Sequence, residues 1–250
     1  FTTILYNKKK FYWSSYLNIT RSRNKLVEFS NLELSTYKNR LQIGQPISIY
    51  TLFHFLGVDP NIGVYQFLGK DGNATSVPTL EDRIVVKSSL PKFFGGLQNT
   101  ITVGQLQFDI FFQFVNKIGP NPIFQVVTQP GTGVNNQLID VLGRWQKPGD
   151  NSAIQLFSSS FTSNAGSAYR NMQISDIGFV DASFLRLKNL SISWNLPSNI
   201  VHKVHLLGVR VFIQGQNIFT ITKYKGLDPE TTSVTVPLLR TITAGINVSL

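Results

Sequence analysis

Along the last twelve residues, Leu239 to Leu250, apolar and polar side chains alternate almost without fault. Ile242, Ala244, Ile246, Val248 and Leu250 fall on one face, and Thr241, Thr243, Gly245, Asn247 and Ser249 on the other. A period of two is that of a β-strand, and the small polar second face reads as wet. The pattern suits the closing strand of an outer-membrane barrel. It suits equally an edge strand of a soluble sandwich, which alternates in the same way.

The same period recurs upstream. Phe11, Trp13, Ser15, Leu17 and Ile19 oppose Tyr12, Ser14, Tyr16, Asn18 and Thr20, with Tyr and Trp gathered at the strand start, as in the interfacial girdle of a barrel. Ile47, Ile49, Thr51, Phe53 and Phe55 alternate with Ser48, Tyr50, Leu52 and His54, giving a second clear strand. Leu97 to Val103 and Leu106 to Phe114 flank Gly104-Gln105, the two-residue, Gly-first turn of a type II′ hairpin. The return strand sets Phe108, Ile110, Phe112 and Phe114 against Gln107, Asp109, Phe111 and Gln113, so Asp109 would face the lumen of a wide barrel. Phe184 to Leu196, Val209 to Thr222 and the terminal strand complete seven clear strands. The opening stretch, Phe1 to Tyr6, is too short to read and leaves an eighth open, and residues 26–44 have no assignable element.

Between strands the chain is irregular. Residues 61–90 are turn-rich around Lys70-Asp71-Gly72-Asn73, where Gly and Asn tolerate positive φ. Residues 119–181 carry few strand signals and include Asn121-Pro122, Gln129-Pro130-Gly131, Arg144-Trp145, Pro148-Gly149-Asp150 and a polar run from Ser158 to Ser167. So long a structureless stretch counts against a compact sandwich and fits the long extracellular loops of a barrel.

Composition sharpens this picture. No run of 18 apolar residues could form a spanning helix, and alternation holds mean hydropathy near zero, as in barrels. Cysteine is absent, so no disulfide or thiolate metal site supports the fold. The chain opens on Phe1-Thr2-Thr3-Ile4 rather than on a signal peptide, as expected of mature or partial sequence. A net charge of +10 raises the question of nucleic acid, but the basic groups Lys8-Lys9-Lys10 and Arg21, Arg23, Lys25 sit between strand-like runs and read as hairpin turns. No nucleic-acid partner is expected. Basic residues at an anionic membrane surface fit better.

Catalysis and metals find little support. Asp71 and Asn73 alone are too few oxygen ligands at fixed spacing for calcium. Residues 63–71 are one residue too long for a phosphate loop and place Asp71 where Ser or Thr is needed. His54, His202 and His205 single out no Ser-His-Asp trio. No enzyme, cofactor or metal site is expected.

Leu190, Ile192, Trp194 and Leu196 share a face that continues to Lys188 and Arg186. With Leu196 at the periplasmic end, Lys188 lies eight residues on, about 26 Å, close to the height of the apolar band. The two cations would then meet outer-leaflet lipopolysaccharide phosphates. A face-swapping bulge near Asn189 is the competing reading.

The segments Ser183-Phe-Leu-Arg-Leu-Lys-Asn-Leu-Ser-Ile-Ser-Trp-Asn-Leu-Pro197, Val209-Arg-Val-Phe-Ile-Gln-Gly-Gln-Asn-Ile-Phe-Thr-Ile-Thr222 and Lys223-Tyr-Lys-Gly-Leu-Asp-Pro-Glu230 closely resemble the end of SusC/RagA-family TonB-dependent outer-membrane transporters. Gly57-Val-Asp-Pro60 with Gly63, Leu90-Pro-Lys-Phe-Phe-Gly-Gly96, and Arg144-Trp145 with Pro148-Gly149-Asp150 look like that family's C-terminal region in the same order. The resemblance spans essentially all of residues 1–250. It implies an all-β fold: the C-terminal seven or eight strands of a large antiparallel transmembrane barrel with long extracellular loops. The plug domain, the TonB box and the N-terminal barrel strands would lie elsewhere, as upstream sequence or a separate chain.

The implied activity is energised import of oligosaccharides or oligopeptides across a Gram-negative outer membrane, as a multi-pass protein. The implied partners are a SusD-like surface lipoprotein, the TonB complex through the missing N-terminal region, the remaining barrel and plug, and outer-membrane lipid. Counting back from a periplasmic C-terminus makes residues 70–90, 118–182 and 223–238 extracellular and Ser198 to Leu207 periplasmic. Arg144, Trp145 and Tyr169 in the longest loop are candidates for touching substrate or lid, as aromatic faces and Arg forks suit sugars and peptides. Their other reading is to anchor the loop on itself. Arg186 and Lys188 are the candidates for lipid phosphate. The alternative from another class is a small self-closed eight-stranded barrel acting as an adhesin or membrane anchor.

Overall fold

The computed structural model describes residues 2–8, 10–126, 129–134, 136–137, 139–233 and 235–250. Phe1 and Lys9, which the sequence reading touches, lie outside the described residues. In chain order the strands are β1 (Thr2–Lys8), β2 (Phe11–Thr20), β3 (Ile49–Leu52), β4 (Phe55–Val58), β5 (Tyr65–Leu68), β6 (Ala74–Thr75), β7 (Val85–Ser88), β8 (Phe93–Val103), β9 (Leu106–Asn116), β10 (Ile118–Pro120), β11 (Phe179–Asp181), β12 (Phe184–Asn195), β13 (Gly208–Thr222) and β14 (Thr241–Ser249). Among the described residues three α-helices accompany them, α1 (Pro122–Val126), α2 (Asn164–Gln173) and α3 (Ser198–Val201).

The long period-two stretches pair into one seven-stranded sheet in the order β1-β2-β8-β9-β12-β13-β14. Every pair in it is antiparallel. Its register stacks like with like. One row runs Trp13, Ile101, Phe108, Ile192, Ile213, Ala244, and another Leu17, Leu97, Phe112, Leu187, Phe219. On the opposite face run Ser14, Thr100, Asp109, Ser191, Gln214, Thr243. Asp109 there accepts from Thr100 Oγ1 and Gln107 Nε2, each at 2.8 Å.

The apolar face is uncovered. Ile213 is 47% exposed, Ile221 61% and Ile246 65%. A sandwich would bury such a face against a second sheet, whereas hydrocarbon requires it bare. Tyr6, Trp13 and Trp194 lie on this face toward one end of the strands, as an interfacial aromatic belt does. The sheet is an open segment of a barrel, since β1 and β14 stand at its two edges.

Connections segregate by length. Residues 9–10, 104–105 and 196–207 link strands at one end, and residues 21–92, 117–183 and 223–240 link them at the other. Gly104 adopts φ 61° in the two-residue turn, as the Gly-first hairpin requires. Within β8, Gly95 and Gly96 let rings lie flat on both faces. A Cβ on Gly95 would meet Phe114 Cζ at 2.6 Å, and one on Gly96 would meet Phe111 Cε2 at 2.5 Å.

Three expectations are corrected. Ile47 to Phe55 does not join the large sheet: β3 pairs with β7, and β4 with β5, in small separate sheets of the 21–92 connection. Alternation reports one covered face, not what covers it. The seventh strand is instead β1, whose opening stretch was too short to read. Arg21, Arg23 and Lys25 occupy the start of that long connection rather than a hairpin turn.

The third correction concerns β12. Leu187 pairs with Phe112 and Phe219, while Asn189 pairs with Phe111 and Gln216, so Lys188 is an extra residue opposite β9 and the faces swap there. Leu185 and Leu187 thereby join Leu190, Ile192 and Trp194 on the apolar face. Arg186 is turned to the other side and is 2% exposed. It cannot reach a lipid phosphate, nor is Lys188 held toward one.

Candidate functional site

At the long-connection end, residues 21–92 and 117–183 fold together into a lobe with its own buried core. Phe53, Val64, Tyr65, Phe67, Ala165, Ala168, Tyr169 and Met172 form it, and Phe55, Val58, Phe124 and Leu156 pack around it. Helix α2 supplies its share because Ala165, Ala168, Tyr169 and Met172 recur at helical spacing, and Ser163 caps the helix by accepting from Gly166 N at 3.0 Å. Main-chain bonds join the two connections. Asp176 N donates to Phe53 O at 2.9 Å, and Phe53 N to Ile174 O at 3.3 Å. The Asp176 carboxylate accepts from Phe55 N at 3.0 Å and lies 2.5 Å from His54 Nδ1.

Beside this core opens a cavity of 460 Å³ whose walls include Phe55, Tyr65, Phe124, Tyr169, Met172 and, on its rim, Asp140. Burial pushes the Tyr65 hydroxyl up to about 12, against a smaller opposing effect of its hydrogen bond with the Gln155 backbone. Burial, aided by Tyr65, also pushes Tyr169 up to about 12. Both phenols therefore stay neutral through the physiological range. The cavity offers apolar and aromatic walls with polar tips, a chemistry of binding rather than of bond breaking.

Of the candidates from sequence, Tyr169 lines this cavity, while Arg144 and Trp145 brace the lobe beside it. Trp145 Nε1 donates to Pro60 O at 2.9 Å. Its ring covers Gly63, where a Cβ would meet the ring at 2.3 Å, and Gly63 holds φ 71°. Gly149 N also donates to Pro60 O, at 2.8 Å, and Leu156 N to Gly63 O, at 2.8 Å. The motifs at 57–63 and 144–150, far apart in sequence, are thus two halves of one latch. The Arg144 guanidinium stacks 3.8 Å over the Phe157 ring. Asp71, the calcium candidate, closes its own turn by accepting from Asn73 N and Nδ2.

Arg186 organises the third long connection. Its Nη2 donates to both Asp228 oxygens at 2.9 Å, Nη1 to Glu230 Oε2 at 2.6 Å, and Nε to Thr220 Oγ1 at 2.8 Å. Lys188 Nζ stands 3.5 Å from Glu230, and Lys117 Nζ donates to Glu230 O at 2.7 Å. Tyr224 OH reaches Pro120 O at 3.2 Å. Residues 223–230 are pinned on the polar face by this cluster. Burial acts to raise the Asp228 carboxyl, but the Glu230 N–H and the Arg186 guanidinium outweigh it and hold the group below the usual carboxylate range. The sequence reading placed neither carboxylate with Arg186.

The fold and the exposed apolar face define the class: a segment of a large antiparallel transmembrane β-barrel with long loops at one end. No family model matches the chain. Two curated relatives, both from Formosa agariphila, do. TonB-dependent receptor P3 is 26% identical over 246 residues, covering 88% of this chain and 23% of the receptor. TonB-dependent receptor P26 is 23% identical over 285 residues, covering 96% of this chain and 27% of the receptor. Solved structures of the RagAB peptide importer in its open-open and closed-closed states superpose with TM-scores of 0.78 at 23% and 24% identity, over all of this chain and 28% of theirs. The resemblance to the barrel region of SusC/RagA-type TonB-dependent transporters is thereby borne out. The chain spans about a quarter of the length of the curated relatives it matches.

Proposed function

We propose that this chain is the C-terminal part of the barrel of a TonB-dependent importer of the SusC/RagA type, seated in a Gram-negative outer membrane. The observation that carries the reading is the sheet itself: one bare apolar face, one polar face, and every long connection at one end. Residues 21–92, 117–183 and 223–240 then face outward and residues 196–207 the periplasm. The edges at β1 and β14 would leave backbone donors and acceptors unpaired in lipid, so the remaining strands and the plug complete the barrel from upstream sequence or a second chain.

Its role is energised uptake of oligosaccharides or oligopeptides, with TonB acting through the plug and a SusD-like lipoprotein closing the mouth. Oligopeptides are the first class to test, given the likeness to a peptide importer. Tyr169 serves the substrate from the cavity wall, and the latch of Trp145 on Gly63, with Arg144 on Phe157, holds the loops that meet substrate and lid. Its apolar and aromatic walls suit an uncharged side chain or a sugar face. In the parent organism, uptake of labelled oligopeptides and oligosaccharides is compared with and without a working TonB, and the protein is extracted in mild detergent with its companions. Loss of uptake of one class without TonB, with a lipoprotein copurifying, is expected. Uptake indifferent to both TonB and this protein contradicts the reading.

A further inference from the structure

With Arg186 and Lys188 turned to carboxylates, the lipid-facing rim has another set of cations. Where β2 ends and β8 begins, a cleft of 530 Å³ is lined by Arg21, Arg23, Lys92, Phe93 and the 88–91 turn. No carboxylate is among the described residues that line it. Residues 1–27 contain no Asp or Glu, and neither do residues 84–108, so both chain stretches that build the cleft are acid-free. Arg21, Arg23 and Lys92 are exposed, and the ion pairs among the described residues all lie elsewhere. Asp181 feels Lys92 only weakly, its carboxyl being held low chiefly by Ser183.

Residues of the apolar face lead up to the cleft. Ile19 pairs with Gly95 in the apolar face, Phe93 precedes Gly95 by two residues, and Arg21 follows Ile19 by two. Ile19 is 63% exposed and Phe93 is also exposed, so apolar surface leads directly up to the cations. Height agrees. From Phe11 at the short-turn end to Arg21 is about 33 Å of strand, and a tilt of about 40° reduces this to roughly 25 Å, the height of a barrel's apolar band. Lys8 and Lys10 therefore mark one headgroup level, and Arg21, Arg23 and Lys92 the other.

We propose that Arg21, Arg23 and Lys92 form a binding site for the phosphate headgroup of an outer-leaflet lipid, with its acyl chains lying on Ile19, Phe93 and the apolar face below. Guanidinium forks suit phosphate oxygens. The inference rests on the membrane-barrel reading above. It replaces the lipid contact expected of Arg186 and Lys188 with one on a different pair of strands.

The test uses the full-length protein, extracted from outer membranes in mild detergent and delipidated, with bound lipid counted by native mass spectrometry. The probes are phosphorylated lipid A, the same lipid stripped of phosphate, and inorganic phosphate alone. Phosphorylated lipid A is expected to bind about tenfold or more tightly than the stripped form. The R21A/R23A/K92A variant should lose that preference, R21K/R23K should retain it, and millimolar inorganic phosphate should not displace the lipid. Equal binding of the two lipids, or an alanine variant that keeps the preference, overturns the proposal. Displacement by inorganic phosphate also overturns it, assigning the cleft to a soluble anion. Each variant is first checked for a heat-shifting band in gels. A heat-shifting barrel indifferent to lipid phosphate defeats this inference alone, whereas absence of any barrel from the outer membrane defeats the membrane reading with it.

Discussion

Gly63 carries a burden that no property of the residue in isolation discloses. It holds φ 71° beneath the Trp145 ring, so any side chain meets both backbone strain and the indole. Gly63→Ala is expected to loosen the lobe by about 1–3 kcal/mol, read as faster protease cutting within residues 144–156 while the barrel band is unchanged. Unchanged cutting would remove the latch from the account. Arg186 is the other residue on which a whole connection hangs. Arg186→Ala strands the buried Asp228 carboxylate and should cost about 3 kcal/mol locally, seen as hydrogen exchange confined to residues 223–240. The same ion pair sets a pH dependence. Because the folded Asp228 carboxyl is held below its unfolded value, its contribution is complete above about pH 4 and is lost as pH falls through the lowered folded value. Protection in 223–240, taken relative to the intrinsic exchange rate at each pH, should therefore stay flat from pH 7 to about pH 5 and fall only under more acid conditions, and a fall near neutrality would contradict the assignment.

Strand β12 shows how one residue sets the fate of an element. With Lys188 as the extra residue, Leu185 and Leu187 share the apolar face with Leu190, Ile192 and Trp194. Deleting Lys188 removes the extra residue and leaves all five in strict alternation on the apolar face, with no bulge needed. Deletion should therefore keep the heat-shifting barrel, as should Lys188→Gln, and loss of the barrel on deletion would contradict this assignment of faces. On the settled faces, Ile192→Lys should cost about 2–4 kcal/mol in urea titration in lipid vesicles and Ser191→Lys far less. Equal costs would mean that the apolar face does not meet lipid.

Most of the large sheet was legible because its register repeats a local period, and the hairpin at Gly104-Gln105 announced its own turn. The bulge was legible only as one of two readings, since Arg186 and Lys188 look alike whether they meet lipid phosphate or the carboxylates of Asp228 and Glu230. The loop lobe was not legible. Its α2 lies in a run rich in Ser, Asn and Gly, which masks the spacing of Ala165, Ala168, Tyr169 and Met172. Likewise Ile47 to Phe55 alternates as cleanly as a membrane strand because β3 and β4 also bury one face. The cavity draws its walls from stretches more than a hundred residues apart, so local sequence points to Tyr169 alone among them. From sequence Trp145 reads equally as a contact for substrate or lid and as a loop anchor, and its tie to Gly63 and Pro60 emerges only in the fold.

The molecule as a whole combines two solvents. Its lobe buries Phe53, Phe67 and Met172 as a water-soluble domain does, while the sheet leaves Ile213, Ile221 and Ile246 bare. These regimes coexist only if the sheet stands in hydrocarbon and the lobe in water, with the long connections together on one side. Since residues 1–250 contain no cysteine, single cysteines can report that arrangement in the full-length protein, in a background freed of any others. Ser158→Cys and Thr235→Cys probe the long-connection end, and Gln105→Cys and Lys203→Cys the short-turn end. In intact cells a membrane-impermeant maleimide should label the first pair and reach the second only after the outer membrane is opened. Labelling of both pairs in intact cells, or of the short-turn pair alone, would contradict a membrane-spanning sheet with its lobe outside.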